Sequence, residues 1–205
     1  GSAHSRTHSL SRGISRIIPL SMQKPLLNLR TLSCTTALLL FTGCAQLLGP
    51  TRKVPFFKQE DGHCGDSALM MVLRYHGQKT DEVAVREMVY LPALKGTIPE
   101  IIAATARKLG FESEVTQLDI AGLKQLVART GPTIVYFGPD AAPGNGHFLV
   151  VNDISSFPPR ICVHTGEHAD HWMDTKEFAR RWRLGDHIVV RVSPVTGPEA
   201  DRVIP

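Results

Sequence analysis

The stretch Gln59-Glu60-Asp61-Gly62-His63-Cys64-Gly65-Asp66-Ser67-Ala68-Leu69-Met70-Met71 constrains this chain more than any other. A polar loop runs into Cys64-Gly65, and an apolar period starts at once. Ala68, Met71, Val72 and Tyr75 recur at spacings of three and four, which is one face of a helix. Gly77 supplies the stop. Cys64 is therefore expected in the first turn of a buried helix, where unpaired N–H groups and the positive end of the helix dipole meet. Both favour a thiolate over a thiol, so the position suits a nucleophile. A buried structural cysteine is the bland use of the same residue.

The remaining composition narrows the class. The 205 residues are 42% hydrophobic, enough for the core of one domain of ordinary size plus a tail. The formal charge of +4 misleads. Of 23 basic residues, five (Arg6, Arg12, Arg16, Lys24, Arg30) fall in residues 1–43, which hold no acidic residue. Residues 44–205 keep 18 basic and 19 acidic residues, a net of −1, so the body carries no nucleic-acid footprint. The cysteines are Cys34, Cys44, Cys64 and Cys162. Without a CxxC, and with two of the four in or beside the leader, they make no disulfide framework; Cys64 and Cys162 are the one pair the body could form.

The first 21 residues are Ser- and Arg-rich without periodicity; Gly1-Ser2 could be an expression scar and Met22 the natural start. From Met22 the chain has the order of a secretory signal: Lys24 and Arg30, an apolar run from Thr35 to Phe41, then small residues. The run is too short to span a bilayer. Its end, Phe41-Thr42-Gly43-Cys44, resembles the lipobox of bacterial lipoproteins, with Phe41 in place of the usual Leu. That resemblance implies lipid modification of Cys44 as the first mature residue. Ala45, rather than Asp, implies the outer membrane, with the body on its periplasmic face.

In the body, Val54-Pro55-Phe56-Phe57 reads as a short edge strand, since Pro55 cannot donate to a ladder. After the Cys64 helix, Asp81 can cap a second helix through about Val89. Thr97 with Glu100 makes a capping box for a third helix ended by Gly110, and Asp119 can cap a fourth that closes at Thr130-Gly131. The pattern to that point is mostly helical. The period then changes. Strands are expected over 132–137, 147–151 and 160–164; a short helix boxed by Asp174 and Glu177 runs to Trp182, and a last strand covers 188–192. Helices followed by an antiparallel meander make an α+β order.

A nucleophilic thiol needs a base, and histidine is the usual one. Among His63, His76, His147, His164, His168, His171 and His187, His147 stands apart. It opens a strand directly after Pro143-Gly144-Asn145-Gly146, which puts a ring at the rim of a sheet, open to solvent. His63 is adjacent to Cys64, but neighbouring side chains usually diverge. Acyl transfer also needs donors for an oxyanion. The backbone N–H of Cys64 is one, and Gln59 could fold its amide back beside the thiol.

Gln59, Cys64-Gly65, the Ala68-Leu69-Met71 helix face and His147-Phe148 with its apolar strand together resemble the bacteriocin-processing peptidases. These are papain-like cysteine peptidases that remove leader peptides after a double glycine. Tyr90-Leu91-Pro92 and Gly96 add a similarity to stand-alone, lipoprotein-type members. The resemblance implies a papain-like fold in which the nucleophile helix packs on a C-terminal antiparallel sheet. It implies Cys64 as nucleophile, His147 as base and Gln59 in the oxyanion hole, with a peptide or protein substrate and no cofactor. It divides the chain into an upstream, disordered extension (1–21), a signal peptide (22–43), a tether (44–53), a peptidase domain (54–193) and a tail (194–205). One position departs from the pattern: where the family sets an Asp to orient the histidine, strand parity puts Thr165. Thr165 then fills the role, or Asp153 or Asp170 fills it from a turn.

Two other readings compete. Cys162, His164, His168 and His171 are good zinc ligands within ten residues, although their spacing matches no metal motif. A peptidase fold without turnover, used as a peptide-binding module at the cell envelope, is favoured by the missing Asp and opposed by Cys64, Gln59 and His147.

Overall fold

The computed structural model describes residues 50–139 and 146–196. The expectations on the leader, the signal peptide and Cys44 lie outside them, as does most of the loop before His147. All the described residues belong to one compact unit, Leu48–Pro205.

The chain runs through α1 (Cys64–Tyr75), α2 (Glu82–Val89), a short 3-10 turn (Pro92–Leu94), α3 (Pro99–Lys108), β1 (Phe111–Gln117), α4 (Ile120–Thr130), β2 (Thr133–Phe137), β3 (His147–Ser156), β4 (Pro159–His164), β5 (His171–Asp174), α5 (Thr175–Arg183) and β6 (Ile188–Pro194). The six strands form one antiparallel sheet in the order β1-β6-β2-β3-β4-β5.

β3 shows why the sheet has helices on both faces. Its side chains alternate, yet Phe148, Leu149, Val150 and Val151 are all buried. Phe148 and Val150 join Ile134, Val190 and Val192 under α1, α2 and α3, in a core that includes Leu69, Met71, Val85 and Ile102. Leu149 and Val151 join Val135, Ile161, Val163 and Val189 under α4 and α5, with Leu123, Phe178 and Trp182. A strand covered on both sides loses its polar alternation.

The helix starts follow from their caps. Asp81 accepts from Ala84 N–H, Asp119 from Gly122 N–H, and Asp174 from Lys176 and Glu177 N–H. The Thr97–Glu100 box does not form. The N-cap of α3 is Ile98, and the Thr97 hydroxyl points to the Ile98 carbonyl instead. Pro99 is the reason: it occupies the first helical position, has no N–H to cap, and shifts the start one residue along.

Three other expectations need correction. Val54–Phe57 joins no ladder; Pro55 lacks a donor, and the Val54 carbonyl accepts instead from the His164 ring at 3.0 Å. The stretch before residue 132, expected to be mostly helical, also holds the strand β1 at 111–117, between two of the expected helices, and β5 is a further strand. The sheet is not a simple meander, because β6 inserts between β1 and β2.

Candidate active site

Cys64 is the first residue of α1, and the helix behind it is buried from Gly65 to Leu73. A side chain at Gly65 would force a shift: a Cβ there would collide with Thr97 Cγ2 and press on Ile102 Cδ1 at 3.2 Å. The helix tip is thus seated against α3 and its lead-in. Gly62 makes the turn into it with φ of 78°, and a Cβ at that position would lie 2.8 Å from the Lys95 carbonyl oxygen. The loop that bears Cys64 is clamped against the segment after the 3-10 turn.

The half-buried sulfur has two opposed influences. Burial pushes the Cys64 thiol above its ordinary value, and the nearby Asp66 carboxylate adds to the rise; backbone hydrogen bonds from Phe148, Cys64 and Gly65 pull the other way. His147 and Cys64 line one cleft of about 540 Å³, together with Gln59, Gly96, Tyr136 and Gly166. Burial pushes the His147 imidazole below its ordinary value. Both displacements favour the uncharged forms, a thiol and a neutral ring.

Gln59 reaches the same place. Its Nε2 donates to the Cys64 and Phe148 carbonyls, both at 3.4 Å, and its Oε1 is buried without a partner. Its backbone N–H donates to the Gly166 carbonyl at 2.9 Å. A Cβ built on Gly166 would lie 3.0 Å from Gln59 Oε1 and 3.4 Å from His147 Cε1. Gln59, Cys64 and His147 thus share one site, with Gly166 between the first and the last.

The candidate orienting groups are engaged elsewhere. Thr165 lines a hollow with His147, Leu149 and Met173. Its hydroxyl, however, donates to the His168 carbonyl and accepts from the His168 N–H. Asp153 accepts from the Thr51 N–H and hydroxyl, each at 2.7 Å. Asp170 accepts from Asn152 Nδ2 at 3.0 Å. Among the described residues, no side chain hydrogen-bonds the His147 ring.

His63 turns away from the sulfur, bonding Asp66 at 3.0 Å and stacking on Tyr90. Arg86 completes this cluster by holding Asp66 at 3.3 Å and Glu60 at 3.1 Å. The sequence reading missed Asp66 and Arg86; an acidic residue two positions after the nucleophile, inside an apolar run, was the available signal. It also missed Gly166, whose bareness leaves room for both Gln59 and the ring. Cys64 and Cys162 are free thiols. Among the described residues, no group of three or more His, Cys, Asp or Glu side chains is placed to hold a metal ion.

In fold, the chain is similar to known peptidase domains. No curated protein sequence matches the chain. Among solved structures, the peptidase domain of Streptococcus ComA, a bi-functional ABC transporter involved in quorum sensing, matches with a TM-score of 0.59 at 21% identity, over 70% of this chain and 100% of that one. A double-glycine-motif protease from an AMS/PCAT transporter, in complex with its leader peptide, matches with a TM-score of 0.56 at 22% identity, over 72% and 99%. A protein from Bacillus anthracis described as a C39-like peptidase matches with a TM-score of 0.58 at 16% identity, over 73% and 98%. At these identities the likeness carries the fold. The sequence profile of the Peptidase C39 family matches residues 53–194, well over half of the chain. With the papain-like arrangement of helix tip and sheet rim, that match assigns this chain to the Peptidase C39 family of cysteine peptidases.

Proposed function

We propose that the chain is an exported cysteine peptidase, with Cys64 as nucleophile, His147 as general base and then general acid, and Gln59 with the Cys64 backbone N–H as oxyanion donors. One observation carries the reading: Cys64, at the tip of a buried helix, and His147, at the start of a sheet strand, line one open cleft together with Gln59. As the sulfur attacks a peptide carbonyl, its proton passes to the neutral imidazole. The S–C bond forms, the tetrahedral oxygen is held by the two donors, and His147 returns the proton to the leaving amine. Water then releases the acyl group from the sulfur. The substrate we favour is a peptide cut after small residues, as in a double-glycine leader; the AMS/PCAT protease bound to its leader peptide supports this. Anchoring through Cys44, at the periplasmic face of the outer membrane, completes the proposal.

Incubation of the full chain with a double-glycine leader peptide tests it. Cleavage is expected from the wild type and not from Cys64→Ala or His147→Ala. Cleavage that survives Cys64→Ala would overturn the assignment. The occupied carboxylates of Asp153 and Asp170 favour a second reading, a peptide-binding module that does not turn over; binding of the leader without cleavage by the wild type would select it.

A further inference from the structure

His164, at the end of β4, is fully buried and plays no part in the chemistry above. It joins two segments far apart in sequence. Its Nε2 meets the Val54 carbonyl at 3.0 Å, and its Nδ1 meets the Asp170 N–H at 3.0 Å. A carbonyl can only accept and an amide N–H can only donate, so the ring carries its hydrogen on Nε2. Phe56 packs edge-on against the ring, with centroids 5.3 Å apart. Asn152, at the β-bulge of β3, places its Nδ2 3.0 Å from Nδ1 and donates to Asp170 Oδ1 at 3.0 Å.

The same two segments meet once more, at the cleft, where the Gln59 N–H donates to the Gly166 carbonyl. The two ties, Val54 to His164 and Gln59 to Gly166, lie five residues apart on one segment and two on the other. Between them they fix the course of the lead-in chain that delivers Gln59. The Gln59 side chain does little to fix itself, since both its bonds are 3.4 Å long and its Oε1 has no partner. We infer that His164 is a positioning residue that sets the oxyanion donor Gln59 by tying Val54 to the 165–170 loop. This rests on the peptidase reading above.

The test compares two reactions of Cys64 in the full chain. With p-nitrophenyl acetate, the sulfur bonds to the acetyl carbon, the thiol proton goes to His147 and p-nitrophenolate leaves; an oxyanion forms on the way. With iodoacetamide, the sulfur bonds to carbon and iodide leaves, and no oxyanion forms. His164→Phe is expected to slow acylation at least about tenfold, given that outright loss of one oxyanion donor costs about 10²–10³, while alkylation stays within about twofold. His164→Gln, which keeps a donor for Val54, is expected to recover most of the acylation rate. If His164→Phe does not fold, the same ratio is read in His164→Asn, whose amide donor is one methylene short of the Gln amide in its reach toward Val54. A fall of both rates together, or no change in acylation, overturns the inference. Failure of the peptidase reading looks different: the wild type would then show no His147-dependent acylation at all.

Discussion

Cys64 and His147 are both half-buried, and burial moves their proton equilibria in opposite directions: the thiol holds its proton to higher pH and the ring gives its proton up at lower pH. Both displacements favour the uncharged pair over thiolate and imidazolium. The pH dependence follows. Alkylation of Cys64 by iodoacetamide is expected to keep rising as pH passes 9.0, the ordinary thiol value, and not to level off near neutrality. On the acid side, a ring held below 6.5 stays a competent base below that pH, so peptide cleavage should fall only in the more acidic range. A pH series of labelling and cleavage rates checks both limbs. At Gly65 the question is space. Gly65→Ala must displace Thr97 or the helix tip, because the new methyl group would overlap Thr97 Cγ2. We expect a loss of about 1–3 kcal/mol of stability from overpacking, read by urea denaturation, with reduced Cys64 labelling.

The elements show where sequence patterns suffice and where neighbours decide. Asp81, Asp119 and Asp174 were legible as caps because a cap needs only its own first turn. Asp119→Ala, which strands the Gly122 N–H, should cost about 1 kcal/mol in thermal or urea melts. The Thr97–Glu100 box was misread because Pro99, also local, overrides it. β1 was illegible for a different reason: Phe-Glu-Ser-Glu-Val-Thr-Gln is an edge strand, polar on its outer face, and its pairing with β6 lies about eighty residues ahead. Glu112 and Glu114 look like helix surface until Arg191 on β6 is seen to bind both. The nucleophile, the base and Gln59 could be named from sequence because each sits at the junction of a loop with an apolar element. What surrounds the His147 ring could not, because it depends on where the turn after β4 brings Gly166.

At the scale of the molecule, the lead-in chain meets the sheet at Asp153, where Thr51 and Arg52 converge. Asp153 lies several residues along β3 from His147, and β3 runs on to Ser156, away from the cleft. If Cys44 carries lipid, the seven residues from Cys44 to Thr51 span at most about 25 Å, so the body stays close to the membrane. Cys44→Ala should abolish palmitate labelling and move the protein from the membrane to the soluble fraction, with peptide cleavage in detergent unchanged.

The strand order has a consequence for when the fold can form at all. β6, the last of the described strands to be made, lies inside the sheet, with β1 on one side and β2 on the other. Until it arrives, β1 and β2 each present an open strand edge, and the β2–β3 ribbon on which His147 stands is paired on its β4 side alone. A nascent polypeptide would thus lack a closed sheet until Ile188–Pro194 had been delivered, and a copy stopped short of Ile188 should yield aggregate in place of a folded domain.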